Sequence, residues 1–384
     1  MEDNKLFYLP TEIITGVGCM AELGRVAGRY GGRAMVVCGQ KAMRQAGILD
    51  KAVEILRQAG LKASVYDAIA GEPTLNMVEE GRALALRESV EVVVGLGGGS
   101  AMDAAKAIAG LFTQEGTAEE YFQGRKIEGP GLPWVAIPTT AGTGAEVTKN
   151  AVLTDTKRGE KSSIRSDYWF ARVALVDPAL TLPAPPSVTA SSGGDALCQA
   201  IESYVSTGAG PVTDALAAQA IVLIGRSLVR ACENGDDIEA RSDMLYGSLL
   251  AGMALTNARL GAVHGLAHPL GYRYNIPHGT VCGLLLPYTM EYNLDYATAK
   301  YAHIAQLLNV DTKGMSEKEA GSRAVKVVWE IMEKIHIPLH LREFGVREED
   351  FPQIISESLP SGSLKHNPRP MGAEDLRIVL QKAL

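Results

Sequence analysis

The chain is poor in aromatic residues (6% of 384), and its five cysteines, Cys19, Cys38, Cys198, Cys232 and Cys282, form no C-x-x-C pair. That spacing excludes a zinc knuckle and a compact disulfide frame, and it reads as buried, reduced thiols of a cytoplasmic protein. No block of lysine or arginine is present and the net charge is −7, so the basic face that nucleic acid requires is missing. No apolar run reads as long enough to span a membrane. The opening "MEDNKLFYLP" is acidic and lacks the apolar stretch of a secretion signal. Internal repeats and low-complexity segments are absent as well. What remains is an ordinary globular composition, 46% hydrophobic and 21% charged, in a chain too long for one core. Two domains are expected, with small molecules rather than nucleic acid or membrane as partners.

The first half alternates short β-branched runs with helical stretches. "RAMVVCG", "LKASVYD", "VEVVVGLGGGS", "PWVAIPTT" and "RVALVDP" read as strands, and "MRQAGILDKAVEILRQAG", "NMVEEGRALALRE" and "AMDAAKAIAGLF" as the helices between them. This rhythm means a parallel, Rossmann-like sheet with helices packed on it. It stops at a cluster of prolines, Pro178, Pro183, Pro185 and Pro186, after which only long helical patterns follow. The expected division is therefore an α/β domain over residues 1–184 and an all-α domain over residues 185–384.

Within the α/β half, "VVVGLGGGSAMDAAKAIA" runs from a strand through Gly97, Gly98 and Gly99 into a helix expected to start at Ser100. Glycines let backbone approach a ligand closely, and a helix N-terminus offers free N–H groups and a positive dipole end to a phosphate. Ser100 and Asp103 also fit a capping box, which would need no ligand. A second loop, "IPTTAGTGAEVT", adds Thr139, Thr140, Thr143 and Thr148 beyond another strand's carboxyl end, where such sheets bind ligands. Together the two loops point to a nucleotide.

In the helical half, "GGDALCQAIES" sets Asp195 and Gln199 one turn apart, on one helix face. Three of the seven histidines fall in "GAVHGLAHPLGYRYNIPHGT", at His264, His268 and His278. A lone histidine is usually structural, but three within fifteen positions, beside an unexplained Asp195, point to a metal site.

The stretches "GGGSAMDAAKA", "PTTAGTGAEVT", "DALCQAIESYVS" and "GAVHGLAHPLGYRYNIPHG", in this order and spacing, resemble the iron-containing (group III) alcohol dehydrogenase family. The resemblance extends over nearly the whole chain. It implies a dehydroquinate synthase-like architecture: a dinucleotide-binding α/β domain, a helical domain, and a divalent metal in the cleft between them. It places metal ligands at Asp195, His264 and His278, and a fourth, a histidine in the family, at the position of Gln199. His268 matches a histidine near the nicotinamide, a candidate proton relay. Gly98, Gly99, Ser100, Asp103, Thr139, Thr140, Thr143, Thr148 and Lys161 match the cofactor cleft.

The chemistry so implied is hydride transfer between NAD(P)(H) and a small alcohol or aldehyde, with Fe2+, or Zn2+ as second choice, as the Lewis acid on the substrate oxygen. At the end of the first strand, NAD-preferring relatives carry an aspartate where this chain has Gly39. Losing that carboxylate removes a repulsion against a 2′-phosphate, so NADP(H) is expected to be accepted. A homodimer is implied too. Gln199 keeps open a metal-independent relative, and the shared architecture a lyase of the dehydroquinate synthase type.

Overall fold

The computed structural model describes residues 5–384 and divides into two compact units. One contains Leu9–Thr140 and Ala145–Pro183; the other contains residues 184–384 with two short pieces, 5–8 and Ala141–Gly144.

In the first unit the strands are β1 (Glu12–Thr15), β2 (Arg33–Gly39), β3 (Lys62–Ile69), β4 (Val92–Gly97), β5 (Trp134–Pro138), β6 (Asn150–Asp155), β7 (Glu160–Arg165) and β8 (Val173–Val176). Six of them form a sheet in the order β1-β8-β5-β4-β2-β3, and every pairing in it is parallel. Buried on both faces, its central strands are the continuous apolar runs that parallel sheets need, as in the wholly buried β4 and β5. From β2 the chain first steps outward to β3, then returns to β4 on the other side of β2 and continues to β5 and β8. The direction therefore reverses between β2 and β4. Ligands of such sheets bind beyond the carboxyl ends of the strands at this reversal, here Gly39 and Gly97.

Two features escape the alternating pattern. β1 is a four-residue edge strand paired with β8. β6 and β7 form a separate antiparallel hairpin; the sequence of β7, "EKSSIR", buries only Ile164 and so carries no hydrophobic signature.

The second unit is helical, with no strand among its described residues. Its core gathers side chains from the helices Pro186–Val205, Pro211–Glu233, Ile238–Ala258, Ala262–Tyr274, His278–Asn293 and Glu317–Lys334. The expectation that no apolar run is long enough to cross a membrane needs correction. Pro211–Glu233, at 23 residues, meets that length and composition. Its charges lie at its ends (Asp214, Arg226, Arg230, Glu233), and Ala217, Ala220, Ile221, Ile224 and Leu228 are buried in the unit's core.

Candidate functional site

The helix Pro186–Val205 opens with proline at its first turn, behind an extended Pro185, the position where a missing N–H costs nothing. Cys198, Gln199 and Glu202 follow Asp195 at three, four and seven positions, a single stripe along this helix. Against it lies His278–Asn293 at very short range: a Cβ on Gly279 would sit 2.0 Å from the Ser191 carbonyl oxygen. Only glycine allows that approach. It sets His278, the helix's first residue, and Cys282, one turn on, beside Asp195. The third helix, Ala262–Tyr274, supplies His264 and His268.

One ligating atom from each of Asp195, His264, His278 and Cys282 lies within 4.8 Å of every other. His264 Nε2 is 3.3 Å and His278 Nε2 3.9 Å from Asp195 Oδ1. Cys282 Sγ is 3.8 Å from His264 Nε2 and 3.6 Å from His278 Nε2. Asp195, His264 and Cys282 are buried, and His278 is half-buried. His264 Nδ1 lies 2.7 Å from Glu202 Oε2, and Glu202 Oε1 accepts from the Val263 backbone N–H at 2.8 Å. A carboxylate can only accept, so Nδ1 carries the hydrogen and Nε2 turns towards the cluster, the tautomer seen when imidazole ligates a metal.

Gln199 stands at the same place. Its amide Nε2 donates to Asp195 Oδ2 at 3.0 Å, which leaves Asp195 Oδ1 facing the histidines. Asp195 Oδ1 and Gln199 Oε1 are buried without a hydrogen-bond partner among the described residues. His268, half-buried, stacks on His278 with ring centres 5.4 Å apart. Cys282, one turn beyond His278, and Glu202, two turns beyond Asp195, join the cluster without a distinguishing sequence signal, since a thiol or carboxylate at helical spacing is ordinarily a core or surface residue.

No lysine or arginine stands among these residues, so any positive charge there is held by the imidazoles or by a bound ion. Burial opposes charge on His264, but Cys282, Asp195 and Glu202 outweigh it and hold the imidazole pKa well above its ordinary value. His278 is likewise raised, burial being outweighed by Cys282 and Asp195. Positive charge is thus drawn to the centre of this donor set. An aspartate, two imidazoles and a thiol, converging with an unpartnered oxygen, fit a divalent metal.

In the α/β unit, the helix after β4 begins at Gly99, one residue before the expected Ser100. Gly98 is its N-cap and makes no side-chain cap bond. The capping box expected of Ser100 and Asp103 is therefore not formed. Asp103 instead accepts from the Val152 N–H at 2.9 Å, across to β6. Thr139 N–H donates to the Gly97 carbonyl, joining the ends of β4 and β5, and a Cβ on Gly98 would meet Thr140 Oγ1 at 3.1 Å. Gly97, Gly98, Gly99, Ser100, Thr139 and Thr140 thus come together.

The other cofactor candidates have settings of their own. Thr148 accepts from buried Lys106 at 2.9 Å, and Lys161 pairs with Glu72 at 2.9 Å. Thr143 lies in Ala141–Gly144, which belongs to the helical unit. Gly39 ends β2 at the reversal. Its backbone is unstrained, and a Cβ there would make only an ordinary 3.7 Å contact with the Ile69 carbonyl.

Residues 10–178 match the family described as "Iron-containing alcohol dehydrogenase", and residues 189–384 match "Fe-containing alcohol dehydrogenase family, C-terminal". The chain is 37% identical to 1,3-propanediol dehydrogenase of Klebsiella pneumoniae over 379 residues, covering 98% of each chain. It is 35% identical to the NAD-dependent methanol dehydrogenase of Bacillus methanolicus, over 98% of this chain and 99% of that one. A crystal structure of 1,3-propanediol oxidoreductase superposes with a TM-score of 0.96 at 38% identity, covering 99% of this chain and 100% of that one. The chain belongs to the iron-containing alcohol dehydrogenase family and is an oxidoreductase acting on CH–OH groups. The lyase alternative yields to these dehydrogenase relatives.

Proposed function

We propose that the chain is a metal-dependent, NAD(P)-linked dehydrogenase of small primary alcohols and diols, working equally as a reductase of their aldehydes. The observation that carries this is the buried convergence of Asp195 Oδ1, His264 Nε2 and His278 Nε2 on one point. When bound, the divalent ion (Fe2+ first, Zn2+ second) supplies Lewis acidity at the substrate oxygen, and the coenzyme carries the hydride.

The chain's own residues prepare that chemistry. Glu202 fixes the His264 tautomer, and Gln199 turns Asp195 so that Oδ1 faces the ion. Gln199 Oε1 is a neutral, weaker donor than imidazole and adds at most a weak contact. His268, half-buried against His278, takes the hydroxyl proton at its imidazole and passes it towards solvent. Gly98, Gly99 and Ser100, at the start of the Gly99–Leu111 helix, receive the coenzyme pyrophosphate.

Gly39 leaves the ribose side without a carboxylate of its own, so NADP(H) is accepted along with NAD(H). Arg44, which could have attracted the 2′-phosphate, is already paired with Asp67 at 2.7 Å, which moderates the preference. The relatives' substrates, a three-carbon diol and methanol, favour a small substrate. Five free cysteines favour a reducing compartment such as the cytoplasm, and the family resemblance favours a homodimer.

The test is a panel of short aldehydes assayed with NADH and NADPH, before and after chelation and after adding ferrous or zinc ion. Activity should vanish on chelation and return with metal, and NADPH should serve within a hundredfold of NADH. Full activity in the stripped protein, indifferent to any ion, would overturn the metal-dependent reading.

A further inference from the structure

The sequence resemblance assigns the fourth metal ligand to a histidine at position 199, yet the side chain there is an amide whose nitrogen is occupied by Asp195. We propose that Cys282 supplies the missing donor, so that the metal is held by Asp195, His264, His278 and the Cys282 sulfur in a four-coordinate resting site that would expand to five when substrate enters. This rests on the metal-binding reading given above.

The geometry argues for it edge by edge. Metal–nitrogen and metal–oxygen bonds near 2.0 Å and a metal–sulfur bond near 2.3 Å, set tetrahedrally, space the donors by about 3.3 Å between N and O and about 3.6 Å between N and S. The observed separations are 3.3 Å for His264 with Asp195, and 3.6 and 3.8 Å for Cys282 with His278 and His264. His278 to Asp195, at 3.9 Å, is the one long edge. Cys282 is completely buried, and Asp195, 2% exposed, turns its unpartnered Oδ1 into the same point. A buried thiol with no metal to meet would more usually pack among apolar groups. This one faces two imidazole nitrogens.

The helix makes the substitution possible. Cys282 follows His278 by one turn, and the approach permitted at Gly279 brings both towards Asp195. A thiolate is a softer donor than imidazole, so the set favours zinc over ferrous iron more than an aspartate with three histidines would.

Cobalt substitution tests this without relying on turnover. Wild-type protein loaded with Co2+ should show a thiolate-to-cobalt charge-transfer band in the near ultraviolet. The band should be lost in Cys282→Ser and retained in Cys232→Ser, a thiol outside the cluster. Bound cobalt with no such band would overturn the Cys282 assignment and leave the metal-dependent reading standing. Failure of the wild type to bind cobalt at all would overturn both. Should Cys282→Ser not fold, X-ray absorption of the zinc-loaded wild type decides: one sulfur at about 2.3 Å supports the assignment, and a shell of nitrogen and oxygen alone refutes it.

Discussion

Each unit buries a polar cluster, and the two differ in where the positive charge comes from. In the α/β unit, Lys106 is completely buried. Its ammonium donates to Thr148 Oγ1 and the Asn150 carbonyl, with Asp103 3.6 Å away. That cluster carries its own cation and ties the Gly99–Leu111 helix to the β6 region. In the helical unit, Asp195, Glu202, His264, His278 and Cys282 meet with no lysine or arginine among them. Burying anionic groups without a partner is costly, so the first cluster reads as structural scaffolding and the second as a place awaiting an ion. Both clusters bury carboxylates; a permanent lysine cation marks the first as a brace, and titratable imidazoles beside a thiol mark the second as a binding site.

The sharpest test of the first half of that comparison is Glu146. It is buried near Lys106, its Oε1 has no hydrogen-bond partner among the described residues, and burial pushes its pKa up from 4.5 to about 7. A carboxyl group raised in the folded state favours the neutral form. Its stabilising contribution is complete below the unfolded value near 4.5 and is lost as pH rises through about 7. Relative to Glu146→Gln, the wild type should therefore lose about 3 kcal/mol between pH 4.5 and pH 8. Urea midpoints of the two proteins across this range measure it. A difference that does not change with pH would mean that Lys106 already neutralises an ionised Glu146.

The second half is tested at Glu202, which touches His264 and not the proposed ion. Glu202→Gln keeps the size and leaves the carboxamide oxygen able to accept from His264, but it gives up the bond from Val263 N–H and removes the charge that makes the imidazole a stronger donor. Loss of such a partner typically weakens metal binding about 10–100-fold. Competition with a chromophoric chelator should show that loss while circular dichroism stays unchanged. Unaltered affinity would make Glu202 a helix anchor, through its bond to Val263 N–H, and nothing more.

How much of this the sequence discloses follows the same division. The parallel sheet is legible because strands buried on both faces must be apolar throughout, and the glycine loop because its residues are consecutive in the chain. The hairpin β6–β7 is not, since "EKSSIR" buries one side chain. In the helical unit Asp195, His264 and His278 are reached through spacing and resemblance. Cys282 and Glu202 become visible only when three helices are brought together, because a thiol or a carboxylate at helical spacing is ordinarily a core or surface residue. Lys161 and Thr148 match a cofactor cleft by resemblance alone; what the fold adds is that Glu72 and Lys106 hold their side chains.

The smallest effect concerns the proposed coenzyme loop, which is built of glycine backbone and so would fail by addition rather than deletion. A Cβ at Gly98 would come within 3.1 Å of Thr140 Oγ1 and 3.4 Å of its methyl carbon, close enough that Thr140 must shift by a few tenths of an ångström. A branched side chain in Gly98→Val also fills the space through which the proposed pyrophosphate would approach the first turn of the helix. Crowding at that approach should lower coenzyme affinity about tenfold, equivalent to about 1.4 kcal/mol, and by more if the phosphate contact is lost outright. Metal binding should be untouched, because every proposed ligand belongs to the helical unit. Fluorescence titration with NADH, run beside a metal titration on the same sample, reads both. If Gly98→Val weakened metal binding as much as coenzyme binding, the two sites would not be independent. If it weakened neither, the pyrophosphate would have to lie elsewhere than at Gly98.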